Sequence, residues 1–210
     1  MRLQRGGRLS KQKYICQAAA KGGYLEKLKV LREYGCPWDR KTCVCAAEGM
    51  FLEMLQWLRA NGCPWDEEAC ASAAGEGHLE MLRWLHANGC PLNESTCSST
   101  AIEGRLDILQ WARANGYPWN EETCSMAAGE GELEVLQWAH ANGCPWDEWT
   151  CVQAAEGGNL DILLWLREND CPWDENTITL AEEYGHEDIV TWAKANGAPD
   201  PDEVVDPFDF

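Results

Sequence analysis

The stretch NGCPWDEEACASAAGEGHLEMLRWLHANGCP, residues 61–91, ends on the four residues with which it begins. Cys-Pro-Trp-Asp starts at Cys36, Cys63, Cys144 and Cys171. Cys90-Pro-Leu-Asn and Tyr117-Pro-Trp-Asn fill the gaps, and Ala198-Pro follows. Every interval is 27 residues, with no insertion or deletion. Counting back from Cys36, residues 9–35 form one more copy that lacks the Pro-Trp entry. The chain of 210 residues therefore reads as a basic segment (1–8), seven repeats (9–35, 36–62, 63–89, 90–116, 117–143, 144–170, 171–197) and an acidic tail (198–210) expected to be disordered. A fixed period in this range is the signature of stacked repeats.

Each repeat reads as two helices. The Asp or Asn after Pro-Trp is a natural N-cap, its side chain accepting from an orphan backbone N–H. The following Glu residues suit the positive end of the helix dipole. Cys70, Ala73 and Ala74 then share one face and permit close packing, and Gly77 closes the helix. In the second helix Leu79, Met81, Leu82 and Leu85 keep helical spacing, with Glu80 and Arg83 on the other side. Asn88-Gly89 is a stop, because Gly accepts the left-handed conformation just past a helix end. Pro91 cannot continue a helix.

A leucine-rich repeat is the rival at this period. Leu52, Leu55 and Trp57 would begin its signature, but Ala60 stands where Asn or Cys is needed and Asn61 comes one place late. The expected class is all-α, a helix-turn-helix repeat solenoid of seven stacked units. Thr123–Gly143, with Ala127-Ala128 and GELEVL, resembles an ankyrin repeat. It departs from the usual pattern in two ways. Glu-Thr-Cys-Ser replaces the Thr-Pro-Leu-His opening, and the period is 27 instead of about 33. The resemblance, to a short Cys- and Trp-rich variety like those of large DNA viruses, algae and oomycetes, implies that the β-hairpin is largely lost. It also implies a protein-binding scaffold that grips its partner on the concave, first-helix side.

Terminal repeats need polar outer faces. In the last repeat the regular Cys, Ala, Leu and Gln positions become Ile178, Glu182, Glu187 and Thr191; the first carries Lys21, Lys27, Lys29 and Arg32. Both are expected to be caps.

Charge is uneven: residues 1–41 hold 11 Lys/Arg against 3 Asp/Glu, and residues 42–210 hold 6 against 32. The acidic body repels nucleic-acid phosphates and attracts basic partners. No apolar run reaches the roughly 20 residues that cross a bilayer, and the basic start lacks the apolar stretch of a secretory signal. A monomeric, cytoplasmic protein in a reducing compartment, binding neither nucleic acid nor membrane, is expected.

Two ladders recur. Eleven of the 12 Cys occupy two repeat positions, with Cys45 the exception. Zinc would need four converging ligands, and Cys43-x-Cys45 has the wrong spacing. The expected role is a small apolar core residue as a free thiol. Eleven of the 12 Trp occupy two further positions, which suits packing. The four His (His78, His86, His140, His186) fall in no catalytic constellation. No cofactor, metal or catalytic residue is expected.

Constant positions build the scaffold, so positions that differ between copies are free to recognise something. At 100° per residue the face opposite Cys70, Ala73 and Ala74 carries Glu68, Ser72 and Gly75. Their equivalents vary most: Ser95, Glu122, Trp149 and Asn176; Ser99, Met126, Gln153 and Leu180; Ile102 and Glu156. These residues form the candidate protein-binding stripe, suited to a partner with basic and apolar surface. Trp149 is the one Trp outside both ladders. A metal or small-molecule binder using the Cys/Trp ladders, and an array with no dedicated partner, are the alternatives.

Overall fold

The computed structural model describes residues 14–200. The basic segment 1–8 and residues 201–210 of the tail lie outside the described residues. Among the described residues every regular element is a helix, two per repeat. First helices are α1 (residues 14–21), α3 (Arg40–Glu48), α5 (Glu68–Gly75), α7 (Ser95–Ile102), α9 (Glu121–Gly129), α11 (Glu148–Glu156) and α13 (Glu175–Tyr184). Second helices are α2 (Leu25–Glu33), α4 (Leu52–Ala60), α6 (Leu79–Ala87), α8 (Leu106–Ala114), α10 (Leu133–Ala141), α12 (Leu160–Glu168) and α14 (Glu187–Ala195).

The chain divides into two compact bodies. One comprises residues up to Ser99 with Trp111–Tyr117; the other comprises Thr100–Gln110 with residues from Pro118 onward. In the first, α3 packs on α4 and α5, and α5 on α6. In the second, α9 packs on α10 and α11, α11 on α12 and α13, and α13 on α14. Within each body these first helices meet their own hairpin mate and the neighbouring first helix, the nearest-neighbour stacking that the fixed period implies.

Side-chain size explains the two helix types. In α5, Ala69, Cys70, Ala71, Ala73 and Ala74 are all buried, so the small-residue helix is enclosed on every side except the Glu68–Ser72–Gly75 face. In α6, Met81, Leu82 and Leu85 are buried, while Glu80 and Arg83 are exposed. Fully burying one such Leu stabilises by about 1.5–3 kcal/mol.

The caps follow the sequence with one shift. Asp39, Asn120, Asp147 and Asp174 sit extended at the N-caps of α3, α9, α11 and α13, and Asp39 forms a capping box with Thr42. In α5 the N-cap is Glu67, so Asp66 lies one residue before it. At the C-terminal ends, Asn61, Asn88, Asn142, Asn169 and Asn196 each fold back, Nδ2 donating at 2.8 Å to the Trp carbonyl four residues earlier. A left-handed residue follows, Gly89 at φ 75° for example, and Cys90 N–H reaches back to Leu85 at 3.0 Å. Asp170 takes this place without being glycine, at φ 61°.

One expectation is sharpened and one corrected. The Trp ladders do pack, as their regularity suits, but every repeating Trp is half-buried. They pair edge-on within repeats, as in Trp38–Trp57 and Trp146–Trp165, both at 5.7 Å. The side chain six residues before the turn Trp covers it: Arg32 over Trp38 at 3.8 Å, Arg167 over Trp173 at 4.3 Å, and His140 stacked on Trp146 at 3.6 Å. The Trp rings therefore cement hairpin ends through edge and cation–π contacts. The first repeat is also not a polar cap, because Ile15, Tyr24 and Val30 are exposed.

Candidate functional site

The variable rows are set by helix geometry: with the small residues turned inward, positions opposite them must face out. In the first body Glu68 and Ser95 are exposed, and Ser72 and Ser99 half-buried. Adjacent rows touch there, since a Cβ on Gly75 would meet Ser99 Cβ at 3.5 Å. Ser95 is engaged locally, its hydroxyl accepting from Asn93 Nδ2 at 3.1 Å.

In the second body the stripe is more varied. Glu122 and Asn176 are exposed; Ile102, Met126, Gln153, Glu156 and Leu180 are half-buried. Trp149 is 46% exposed, whereas the Trp of the two ladders are all half-buried. Gln153 lies over Gly129, whose added Cβ would sit 3.5 Å from Gln153 Cβ, and its amide donates to Glu156 Oε2 at 2.5 Å. Tyr184 hydrogen-bonds Glu156 from the next first helix, and that bond with the carboxylate charge raises the phenol's pKa. The Glu156 carbonyl lies 3.0 Å from His186 Nε2. Glu156 is thus anchored from three sides. Asn176 is engaged locally: its backbone N–H donates to Asp174 Oδ1 at 3.0 Å and its Nδ2 to Asp174 Oδ2 at 2.7 Å, at the start of α13.

Beside Trp149, Asp147 caps α11. Partial burial, then the charges of Glu148 and Glu121, push its carboxyl above the ordinary range, offset in part by the Trp149 and Thr150 backbone N–H groups. The Asp147 carboxyl, two residues before Trp149, thus lies within reach of the Glu148 and Glu121 charges.

The Cys ladders behave differently from anything single rows imply. The two rows meet: Cys63 hydrogen-bonds Cys43, Cys90 bonds Cys70, Cys124 bonds Cys144 and Cys171 bonds Cys151, each contact raising the named thiol's pKa together with burial. Cys16 is raised to about 12, by burial first and then by Cys36. Cys70 is lowered instead, because the Cys90 thiol and the Tyr117 hydroxyl, 3.8 Å away, both point to it. Tyr117 fills the Cys position of its own repeat. The thiols meet in twos, and among the described residues no group of three or more His, Cys, Asp or Glu gathers to hold a metal.

Eleven Cys are buried and Cys45 is half-exposed on the variable stripe. Cys45 is expected to be the first thiol that a maleimide labels in the folded protein. Its rate should fall below that of a free thiol, since burial and the Glu48 charge raise its pKa. Timed labelling with peptide mass spectrometry checks this; equal labelling of Cys43 would mean that α3 opens.

Among the described residues no helix is long and apolar enough to cross a membrane. Compared with solved structures, the chain is similar to the human ASB11 ankyrin repeat domain, at a TM-score of 0.61 and 15% identity, over 84% of this chain and 96% of that one. No family model matches the sequence, and no curated protein matches it. The fold is an ankyrin-like solenoid of helix pairs whose hairpin fingers are reduced to Pro-Trp turns.

Proposed function

We propose that this protein is a non-catalytic protein-binding scaffold that recognises a partner with basic and apolar surface through the variable stripe of its first helices. The single observation that carries this is Trp149. Its side chain is 46% exposed and stands outside the packing ladders, so the regular packing of the repeats does not account for it. Met126, Gln153 and Leu180 occupy neighbouring positions on α9, α11 and α13, with Glu122 and Glu156 as a polar rim. Aromatic anchors with polar surroundings are where interface energy concentrates. In the first body, Glu68, Ser72, Ser95 and Ser99 offer a smaller, polar stretch, suited to positioning more than to anchoring.

Trp149→Ala with Met126→Ala tests the reading. Affinity capture with each protein is compared after circular dichroism establishes equal helicity. Loss of a hot-spot aromatic is expected to weaken the partner by about 2 kcal/mol or more, roughly 30-fold, without lowering the melting temperature. A partner captured equally by both proteins would move recognition off the stripe.

A further inference from the structure

Among the described residues, the outer flanks of the first and last repeats are exposed and complementary. Within the bodies, the flank that a preceding repeat covers is sealed: Thr42, Ala69, Thr150 and Thr177 are all 0% exposed, whereas Ile15 at the same position is 49% exposed. Ile15, Ala18, Ala19, Tyr24, Val30 and Leu31 line an open apolar groove of about 620 Å³ on this first flank. At the other end, Ala181, Gly185 and Val190 line a groove of about 420 Å³ with Glu182 and Glu187.

The internal junctions show what such flanks receive. At four junctions a side chain of one repeat lies over a glycine of the repeat before it. A Cβ on Gly23 would strike Phe51 at 2.5 Å, on Gly131 it would meet Asn159 at 3.2 Å, and on Gly158 it would strike His186 at 2.6 Å. The same position in the last repeat, Gly185, has nothing within 4 Å, and the same position in the first, Tyr24, is 53% exposed. Lys21 bonds Glu48, its equivalent one repeat on, at 2.9 Å. Continued one repeat past α13, that contact would set Glu183 against a second Lys21, again with opposite charge.

Charge at the ends follows the same logic. Glu182 replaces an Ala that is 0% exposed at Ala20, Ala47, Ala128 and Ala155. Lys27 replaces a residue that is 3% exposed or less at Met54, Met81, Ile162 and Ile189. Each charge keeps its end solvated in the free monomer, yet the two signs are opposite. Glu182 already pairs with Lys194 at 3.1 Å in the monomer, and a mating end adds opposite charge beside it and beside Lys27.

From this we infer that the chain associates head to tail with a second copy, the first flank of one molecule docking on the last flank of another in the spacing of an internal junction. Tyr24 covers Gly185, Lys21 pairs with Glu183, and Lys27 enters the groove beside Glu182 and Glu187. The contact is heterologous, so copies add end to end, and the dilute protein is a monomer.

Sedimentation velocity over rising protein concentration tests this on the wild type, Lys21→Glu, Glu183→Lys and the double reversal. Wild type is expected to gain mass with concentration. Each single reversal should weaken association by roughly three- to tenfold, and the double should restore it. Lys21→Glu also loses its Glu48 contact, so Glu183→Lys is the cleaner single variant. A wild type that stays monomeric to millimolar concentration overturns the inference and leaves the first flank to another occupant. So does association indifferent to both reversals.

Discussion

Ala155→Glu is expected to unfold the junction between α11 and α13 and to lower the melting temperature more than any stripe substitution. Ala155 is 0% exposed on the face that the next repeat covers. A carboxylate there is buried without a partner, at a cost of about 3–5 kcal/mol or more. That is a large share of a domain's roughly 5–15 kcal/mol total. In a stacked array each repeat leans on its neighbours, so α13 and α14 should detach first. The control is already in the chain: Glu182 holds the same repeat position, exposed and paired with Lys194 at 3.1 Å. Glu182→Ala should change stability by less than about 0.5 kcal/mol, as surface substitutions usually do. Thermal circular dichroism with limited proteolysis checks both; an Ala155→Glu protein that melts like wild type would mean that the flank is not sealed.

Gly157→Ala is expected to destabilise, against the usual sign. Gly157 is exposed, with φ −74° and ψ −6°, a conformation open to any residue. Replacing glycine by alanine at such a helix-compatible position ordinarily stabilises by about 0.4–1 kcal/mol. Here a Cβ would lie 2.0 Å from the Gly129 carbonyl oxygen and 2.7 Å from Asn159 Nδ2. That amide itself donates to the Ala128 and Gly129 carbonyls at 2.9 and 2.7 Å. Backbone must move and two hydrogen bonds must stretch, costing about 1–3 kcal/mol. Denaturant melts decide the sign. A stabilised Gly157→Ala protein would show that α9 and α11 sit farther apart than described. Gly143→Ala separates the two causes, because its φ of 82° strains any side chain while no atom lies within 4 Å.

Much of this was legible along the chain. The 27-residue period specifies how many helix pairs stack, and the Asp and Asn caps with the Asn-Gly stops place the helix ends to within a residue. Exposure of the stripe followed from one fact, that small residues occupy the inward positions of α3 to α11 and helical geometry turns the rest outward. Trp149 stood out because repetition explains every other Trp. Where reading failed, the missing information lay between elements. The Cys rows were read singly, and only the folded hairpin brings residues 20 apart, such as Cys70 and Cys90, into contact. Ile15 and Val30 look like core residues in any helix, and whether they are covered depends on what stacks against α1 and α2. The bonds from Asn176 to Asp174 likewise depend on the folded start of α13.

The sequence by itself determined the unit, its length, its two helices and the face left free to vary, because period and amphipathic spacing are properties of one chain segment. Tertiary structure alone decided which thiols meet, which glycines lie beneath a neighbour's side chain, and which apolar residues of α1 and α2 stay exposed among the described residues. Those depend on distances between segments that hydrophobic pattern does not encode, and on what a repeat has, or lacks, on either side.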